Sequence, residues 1–416
     1  MKSLLILGRQ PEIGIAELES LYTPTKVTPI NQQVVLVDVD PCLLAFDRLG
    51  GAIKFAKVLT TLPTSSWTNA EKFLLKVAPD FAKTMPVGKM HLGISDYGFS
   101  LTPRDISKTA LKLKSAIVKT NRSVRVVPNN ELSLSSAQVI HHKLTTPNGW
   151  ELLIIKDTEK TIIAQTIKVQ DIQAYADRDQ RRPARDARVG MLPPKLAQII
   201  INLACGTLPE ESIQSVCDIP PDQPIPKQYF KGQLLLDPFC GSGVILQESA
   251  IMGYDCVGTD IDPRMVDYAR TNLDWLSSVP NSPISQGSSI NISVGDATNH
   301  QWTLQPTIIA GETYLGKPYS AFPTTEQLNG EIRQCNQIVV NFLNNLYPQI
   351  SPKTRICLAI PAWRQNNGLF TRLPLLDQLE DIGYNRVSFV HLRDRALIYF
   401  RENQIVAREL LVLIRK

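Results

Sequence analysis

The sequence predicts an α/β protein: a doubly wound, Rossmann-like sheet domain in the C-terminal half, preceded by an α+β region. Three segments carry this expectation. Leu234-Leu235-Leu236 is a short, wholly apolar run suited to a parallel strand covered on both faces; it ends on Asp237 and the turn Cys240-Gly241-Ser242-Gly243, before a helical pattern opens at Val244. Tyr254 to Asp260 repeats the scheme, a strand closing on an acid. Ile290 to Val294 repeats it again, closing on Gly295-Asp296-Ala297. Strands that alternate with helical patterns build parallel sheets with helices on their faces.

In chain order, Leu4 to Leu7 reads as a strand, Pro11 to Tyr22 as a helix, Val34 to Val39 as a strand and Gly51 to Leu62 as an apolar run. Residues 1–70 are read as one compact module. Basic and helical segments continue to about His142, with Ser123 to Val127 as a strand, and the strands Glu151 to Lys156 and Thr161 to Val169 close a second module, residues 71–172. Tyr175 to Pro194 is polar, arginine-rich and broken by proline, so residues 173–194 are read as a linker. Pro193-Pro194 then opens a helix from Lys195 to Ala204, and residues 195–416 form the sheet domain. Within it Pro306 to Ala310 and Arg355 to Ile360 read as further strands.

The turn indicates its ligand by what it lacks. A dinucleotide fingerprint needs a third glycine where Leu246 stands. Gly241 and Gly243 still allow a tight turn and a close approach by a ligand. A carboxylate at Asp237 repels a pyrophosphate but attracts the ammonium and sulfonium charges of S-adenosylmethionine, so methyl transfer outranks hydride transfer. Asp260, at the tip of the second strand, is placed to hold both ribose hydroxyls, and Asp296, followed by Ala297, to accept the adenine amino hydrogens. A lone aspartate is more often a helix cap; three acids closing successive strands point to one site.

Composition narrows the class. A chain of 416 residues, 43% hydrophobic, builds two or three ordinary domains with cores, and no apolar run approaches the roughly 20 residues of a membrane span. Seven cysteines without a C-x-x-C pair and five scattered histidines suggest neither a disulfide framework nor a metal site, so a reducing cytoplasm and no metal are expected. The net charge of +5 is modest, but it is unevenly spread. Lys108, Lys112, Lys114, Lys119, Arg122 and Arg125 lie in a stretch without acids from Ile106 to Val127; Arg178, Arg181, Arg182, Arg185 and Arg188 crowd the linker. Each stretch alone is as readily a solvated face; together they suggest a nucleic-acid phosphate backbone as partner.

Several strings together resemble one family, the THUMP-domain methyltransferases that modify the exocyclic amino group of guanosine at position 10 of tRNA. They are Leu132-Ser133-Leu134-Ser135-Ser136-Ala137-Gln138-Val139, the junction from Arg185 to Ala197, the turn Asp237 to Gly243, and the closing Gln404-Ile405-Val406-Ala407-Arg408-Glu409. The junction and closing strings are distinctive; the turn alone says only methyltransferase. The resemblance implies a ferredoxin-like module, a THUMP domain that grips tRNA, and a class I methyltransferase domain ending in an antiparallel hairpin, which suits Val387 to Leu392 and Ile405 to Ile414. It leaves open a helper subunit, which some relatives need.

The sequence departs from that family at the acceptor motif. Such enzymes carry Asp or Asn, two prolines and an aromatic residue after the fourth strand: the acid or amide accepts from the target amino group and the ring stacks on the flipped base. Here the strand runs into Gly311-Glu312-Thr313-Tyr314, without either proline. A gapless alignment puts Gly311 in the acid's place, a single deletion puts Glu312 there, and both keep Tyr314 as the aromatic. The reading is a tRNA guanine amino-methyltransferase: Asp237, Cys240, Gly241, Gly243, Asp260, Asp296 and Ala297 toward the cofactor, Glu312 and Tyr314 toward the base, and Lys112, Lys114, Arg122, Arg181, Arg182 and Arg185 toward phosphates. The alternatives are a tRNA-binding protein with weakened catalysis and an amino-methyltransferase for another RNA or DNA.

Overall fold

The computed structural model describes residues 2–186, 191–208, 232–279, 282, 284, 288–319 and 321–416. It divides into two compact units. The first comprises residues 1–11, 25–46 and 52–172; the second comprises 12–24, 47–51 and 173–416.

The N-terminal unit is one eight-stranded sheet. Its strands are β1 (Ser3–Leu7), β2 (Val27–Pro29), β3 (Val34–Val37), β4 (Ala52–Leu62), β5 (Met90–Tyr97), β6 (Val124–Val126), β7 (Gly149–Lys156) and β8 (Thr161–Val169), in the order β2-β3-β1-β4-β8-β7-β5-β6. The long β4 pairs with β1 along one edge and β8 along the other, so the sheet runs unbroken across the border expected at residues 70 and 71. Helices α2 (Trp67–Thr84) and α3 (Pro103–Val118) share one core with Met90, Leu92, Ile94 and Trp150. The α3 helix starts in a reciprocal cap between Thr102 and Asp105, and Pro103 at its first position needs no hydrogen-bonded N–H. The Leu132–Val139 string becomes a turn into the short helix α4 (Ser136–His141), capped by Ser135 and Gln138, with Leu134 and Val139 buried.

Two elements from early in the chain belong to the C-terminal unit. One is helix α1 (Pro11–Tyr22), of which only Pro11 falls in the other unit, and the second is the segment 47–51. Glu17 on α1 accepts from the backbone N–H of Gly50 and Gly51 and from Asn202 Nδ2 on helix α6 (Pro194–Cys205). The expected linker is not irregular at its start, where helix α5 (Ile172–Gln180) forms.

The main sheet of this unit follows the order β11-β10-β9-β12-β13-β17-β15, with β9 (Leu234–Asp237), β10 (Asp255–Asp260), β11 (Ile290–Val294), β12 (Ile308–Glu312), β13 (Arg355–Arg364), β15 (Tyr384–Arg386) and β17 (Val406–Arg415); the two-residue β14 (Phe370–Thr371) pairs with β13 off this path. Strands β9 to β13 are parallel; β17 enters antiparallel between β13 and β15. Helices α7 (Val244–Ile251), α8 (Pro263–Ser278) and α9 (Thr325–Leu346) make the crossovers. This is the doubly wound class I methyltransferase arrangement expected for residues 195–416. The expected partner of the last strand is corrected: Val387 to Leu392 is not a strand, and β17 pairs instead with β15 and with the two-residue β16 (Ile398–Tyr399). Among the described residues, no helix is long and apolar enough to cross a membrane.

Candidate active site

Winding proceeds from β9 outward through β10 to β11, then returns to the other side of β9 with β12. The crevice at the carboxyl ends of β9 and β12 is therefore the topological switch point, where open α/β sheets bind ligands. A cavity of about 440 Å³ opens there, lined by Asp237, Gly241, Asp260, Glu312 and Tyr314 among others. Five residues from three separate strand ends thus converge on one cavity.

The turn after β9 is fixed to the end of β10. Cys240 donates its N–H to the Thr259 carbonyl (2.9 Å), and Gly241 donates to Asp260 Oδ2 (2.8 Å), while Asp260 Oδ1 accepts from Asp262 N–H (2.9 Å). Gly241 and Gly243 both sit at positive φ, +49° and +84°, which side chains resist. Their other roles differ. A Cβ on Gly241 would meet nothing within 4 Å, which leaves the backbone open to a ligand; a Cβ on Gly243 would come 3.0 Å from Ala269 Cβ, so this glycine lets α8 pack. Gly243 also opens α7, whose first N–H groups have no intrahelical partner.

Asp237 is 2% exposed, and its Oδ1 accepts from the Phe239 N–H at 3.2 Å. Burial pushes its carboxyl well above the usual range, and the charges of Asp260 and Glu312 push it the same way. Asp260 is raised by burial, against which its bonds from Asp262 and Gly241 work. Burial also drives the Cys240 thiol up, so this cysteine lines the cavity as a neutral group. The cavity is therefore rich in carboxyl groups and short of cations, a setting that favours a positively charged guest.

On the acceptor side, Gly311 and Glu312 are the last residues of β12. A Cβ at Gly311 would lie 3.2 Å from Asp237 Oδ1 and 3.3 Å from Pro238 Cδ, so an acid here would crowd Asp237. Glu312 lines the cavity and is held by Arg408 of β17: Nε donates to Oε1 at 2.7 Å and Nη2 to Oε2 at 3.3 Å. Thr313 returns to β13 by donating its N–H to the Ala359 carbonyl. Tyr314, 39% exposed, presents its ring at the cavity rim.

Several expected site residues lie elsewhere. Asp296 Oδ1 accepts from the N–H and the hydroxyl of Thr298, capping a turn, and Asp296 does not line the cavity. Ala297 is buried in the hydrophobic core beside Phe342 and Leu346. The wall next to Asp260 is made by Ile261, 68% exposed, with Asp262 and Met265. Arg182 is buried, and among the described residues none of its guanidinium nitrogens has a hydrogen-bond partner; its carboxylate neighbour there is Asp179 at 3.6 Å, so it does not face a phosphate. Arg122 is spent on a structural clamp, donating to the carbonyls of Ala82, Met85 and Pro86 and to Asn148. Lys112 is exposed but paired with Glu71, and Arg181 with Asp177. Lys114 lines an open concavity of about 510 Å³ on the N-terminal unit with Lys89 and Arg125, and Arg185 is exposed. Residues 187–190 of the junction string, including Arg188, lie outside the described residues.

Sequence reading gave Arg408 no role, although the closing string around it was singled out. Ile261 and Asp262, immediately after the strand-ending Asp260, were equally accessible from their position alone. Among the described residues no cluster of His, Cys, Asp and Glu is arranged to hold a metal.

Comparison with known proteins agrees with this geometry. Residues 228–278, spanning β9 to α8, match the model of the UPF0020 family, described as an RMKL-like methyltransferase domain. A tRNA (guanine(10)-N2)-dimethyltransferase of Methanothermobacter thermautotrophicus is 37% identical over 84 residues, 20% of this chain and 18% of the relative. One of Methanocaldococcus jannaschii is 28% identical over 118 residues, 27% of each chain. The chain thus spans well under a third of the curated relatives it matches. The crystal structure of TrmN from Thermus thermophilus aligns over the full length of both chains at 15% identity, with a TM-score of 0.49. The resemblance drawn from the sequence is borne out over the segment around the glycine turn, which is similar to an RMKL-like methyltransferase domain and to tRNA (guanine(10)-N2)-dimethyltransferases.

Proposed function

We propose that the protein is an S-adenosylmethionine-dependent methyltransferase of the cytoplasm that acts on the exocyclic amino group of a guanosine in tRNA. The observation that carries this reading is the convergence on one cavity of Asp237, Gly241 and Asp260 from the cofactor side and Glu312 and Tyr314 from the acceptor side. Bound there, S-adenosylmethionine supplies a methyl group on a sulfonium centre. The donor set fits it: a buried carboxyl at Asp237 for positive charge, an acid at Asp260 with lone pairs left for a diol, and open space over Gly241. Ile261 offers an exposed apolar surface for the adenine, in the place first given to Asp296 and Ala297.

Glu312 accepts a hydrogen bond from the target amino group, directing the nitrogen lone pair into the cavity, and Tyr314 stacks on the base. Positioning supplies most of the catalysis, and Glu312 takes the acid's role because a side chain at Gly311 would crowd Asp237. The N-terminal unit serves as the THUMP-like grip, with Lys114, Lys89 and Arg125 around its concavity meeting phosphates.

One observation favours a second reading, a tRNA-binding protein without transfer: the Glu312 carboxylate is already engaged by Arg408. Incubation of the purified protein with methyl-labelled S-adenosylmethionine and unmodified tRNA separates the two. Incorporation of label supports the enzyme; tRNA and cofactor binding without incorporation supports the alternative.

A further inference from the structure

We propose that Arg408 is a positioning residue of the acceptor site: its guanidinium sets the direction of the Glu312 carboxylate, in place of the missing proline frame. The inference rests on the reading of Glu312 as acceptor for the target amino group.

Strand register brings the pair together. Glu312 lies opposite Ala359 of β13, and Arg408 opposite Pro361 of the same strand. Residues 359 and 361 share a face of the sheet, so Glu312 and Arg408 rise on that face from the two strands flanking β13. The intervening side chains, Ala359 and Pro361, are small, and the long arginine reaches over them. It meets both oxygens of Glu312 in a fork, at 2.7 and 3.3 Å.

The arginine is the fixed partner. It is 8% exposed, and its strand pairs with β13 on one side and β16 on the other. Glu312 sits at a strand end with its side chain 16% exposed toward the cavity. A glutamate there has one more rotatable bond than an aspartate and no prolines behind it. Two bonds from a planar, buried fork remove that freedom, while each carboxylate oxygen keeps a lone pair for an amino hydrogen.

Beside the pair stand Asp237 on β9, whose carboxyl feels Glu312, and Tyr399 on β16, next to Arg408. Burial works to lower the Arg408 guanidinium, but Glu312 holds it above its ordinary value, so the arginine remains a cation throughout the neutral range.

The test is steady-state transfer from labelled S-adenosylmethionine to unmodified tRNA for the wild type, Arg408→Gln and Arg408→Lys. Arg408→Gln should lower kcat on the order of a hundredfold with little change in KM for tRNA, as expected for a displaced acceptor. Arg408→Lys should restore part of kcat but not all of it, lacking the fork. Thermal midpoints and S-adenosylhomocysteine binding report on folding; if the glutamine variant does not fold, the lysine variant decides, and wild-type kcat in it overturns the proposal. A KM for tRNA that rises as kcat falls, together with no rescue by lysine, points to a merely structural role and also overturns it. A wild type that transfers no label removes the reading of Glu312 and this proposal with it, whereas an active wild type with an unaffected Arg408→Gln overturns this proposal alone.

Discussion

Replacing Asp260 tests the cofactor side at its most connected residue. Its two oxygens accept from Gly241 N–H at 2.8 Å and from Asp262 N–H at 2.9 Å, so it ties the glycine turn to the start of α8. Asp260→Ala removes both ties and the acceptor proposed for the ribose diol. Hydrogen bonds to a charged group contribute about 1.5–3 kcal/mol each, so loss of a bidentate diol contact costs about 3–6 kcal/mol, a factor of roughly 100–10,000 in Kd. Release of Gly241 from its pinned left-handed conformation adds to the loss. Asp260→Asn should fall between, since its amide must turn a donor toward one of the two N–H groups. Calorimetric titration with S-adenosylhomocysteine measures the effect without any transfer step. Kd values within about threefold of wild type for both variants, less than about 1 kcal/mol, would refute the assignment.

Other expectations follow from the same geometry. Burial, and with it the neighbouring charges of Asp260 and Glu312, raises the Asp237 carboxyl well above its ordinary range; a cationic cofactor pulls it back down, so between the two values binding should release a proton and affinity should rise with pH. Titrations in buffers of differing ionisation heat read this directly, and Asp237→Asn should abolish it. Glu17→Ala should destabilise the C-terminal unit by about 3–5 kcal/mol, because the N–H groups of Gly50 and Gly51 and the amide of Asn202 lose their buried acceptor. Burial raises Glu17 to about 7, against the opposing bonds from Asn202, Gly51 and Gly50. Its stabilisation is therefore complete below the unfolded value of 4.5 and lost as pH rises through about 7, so denaturant titrations should find the penalty larger on the acid side. Lys114→Glu and Arg185→Glu should each weaken tRNA binding and flatten its salt dependence by about one unit of slope per phosphate contact. Arg182→Ala should instead act through stability, since the side chain is fully buried.

What was legible in the sequence was local. Leu234 to Gly243 declares strand, acid and turn within ten consecutive residues, and the strand-end acids 237 and 260 reach the same cavity because parallel register aligns strand ends. The third acid had the same signature but another fate: Asp296 turned to cap its own loop, a competition between ligand and backbone that no pattern decides. Ala297 and Arg182 were misplaced for a related reason. Burial depends on what packs from elsewhere, and an arginine in a basic stretch reads as solvated until the fold covers it. The Arg408–Glu312 pair joins residues 96 apart across an intervening strand, and the Glu17–Asn202 contact joins residues 185 apart. Hydrophobic periodicity carries no information on such pairs, which is also why α1, so early in the chain, gave no sign that it belongs to the C-terminal unit.

Methyl transfer to a guanosine amino group is read from the product. Purified protein, labelled S-adenosylmethionine and unmodified tRNA transcript are incubated, and the tRNA is digested to nucleosides for mass spectrometry. Label is expected in N2-methylated guanosine and should be lost in Glu312→Ala. Label in an adenosine derivative, or none in any nucleoside while cofactor and tRNA both bind, would contradict it.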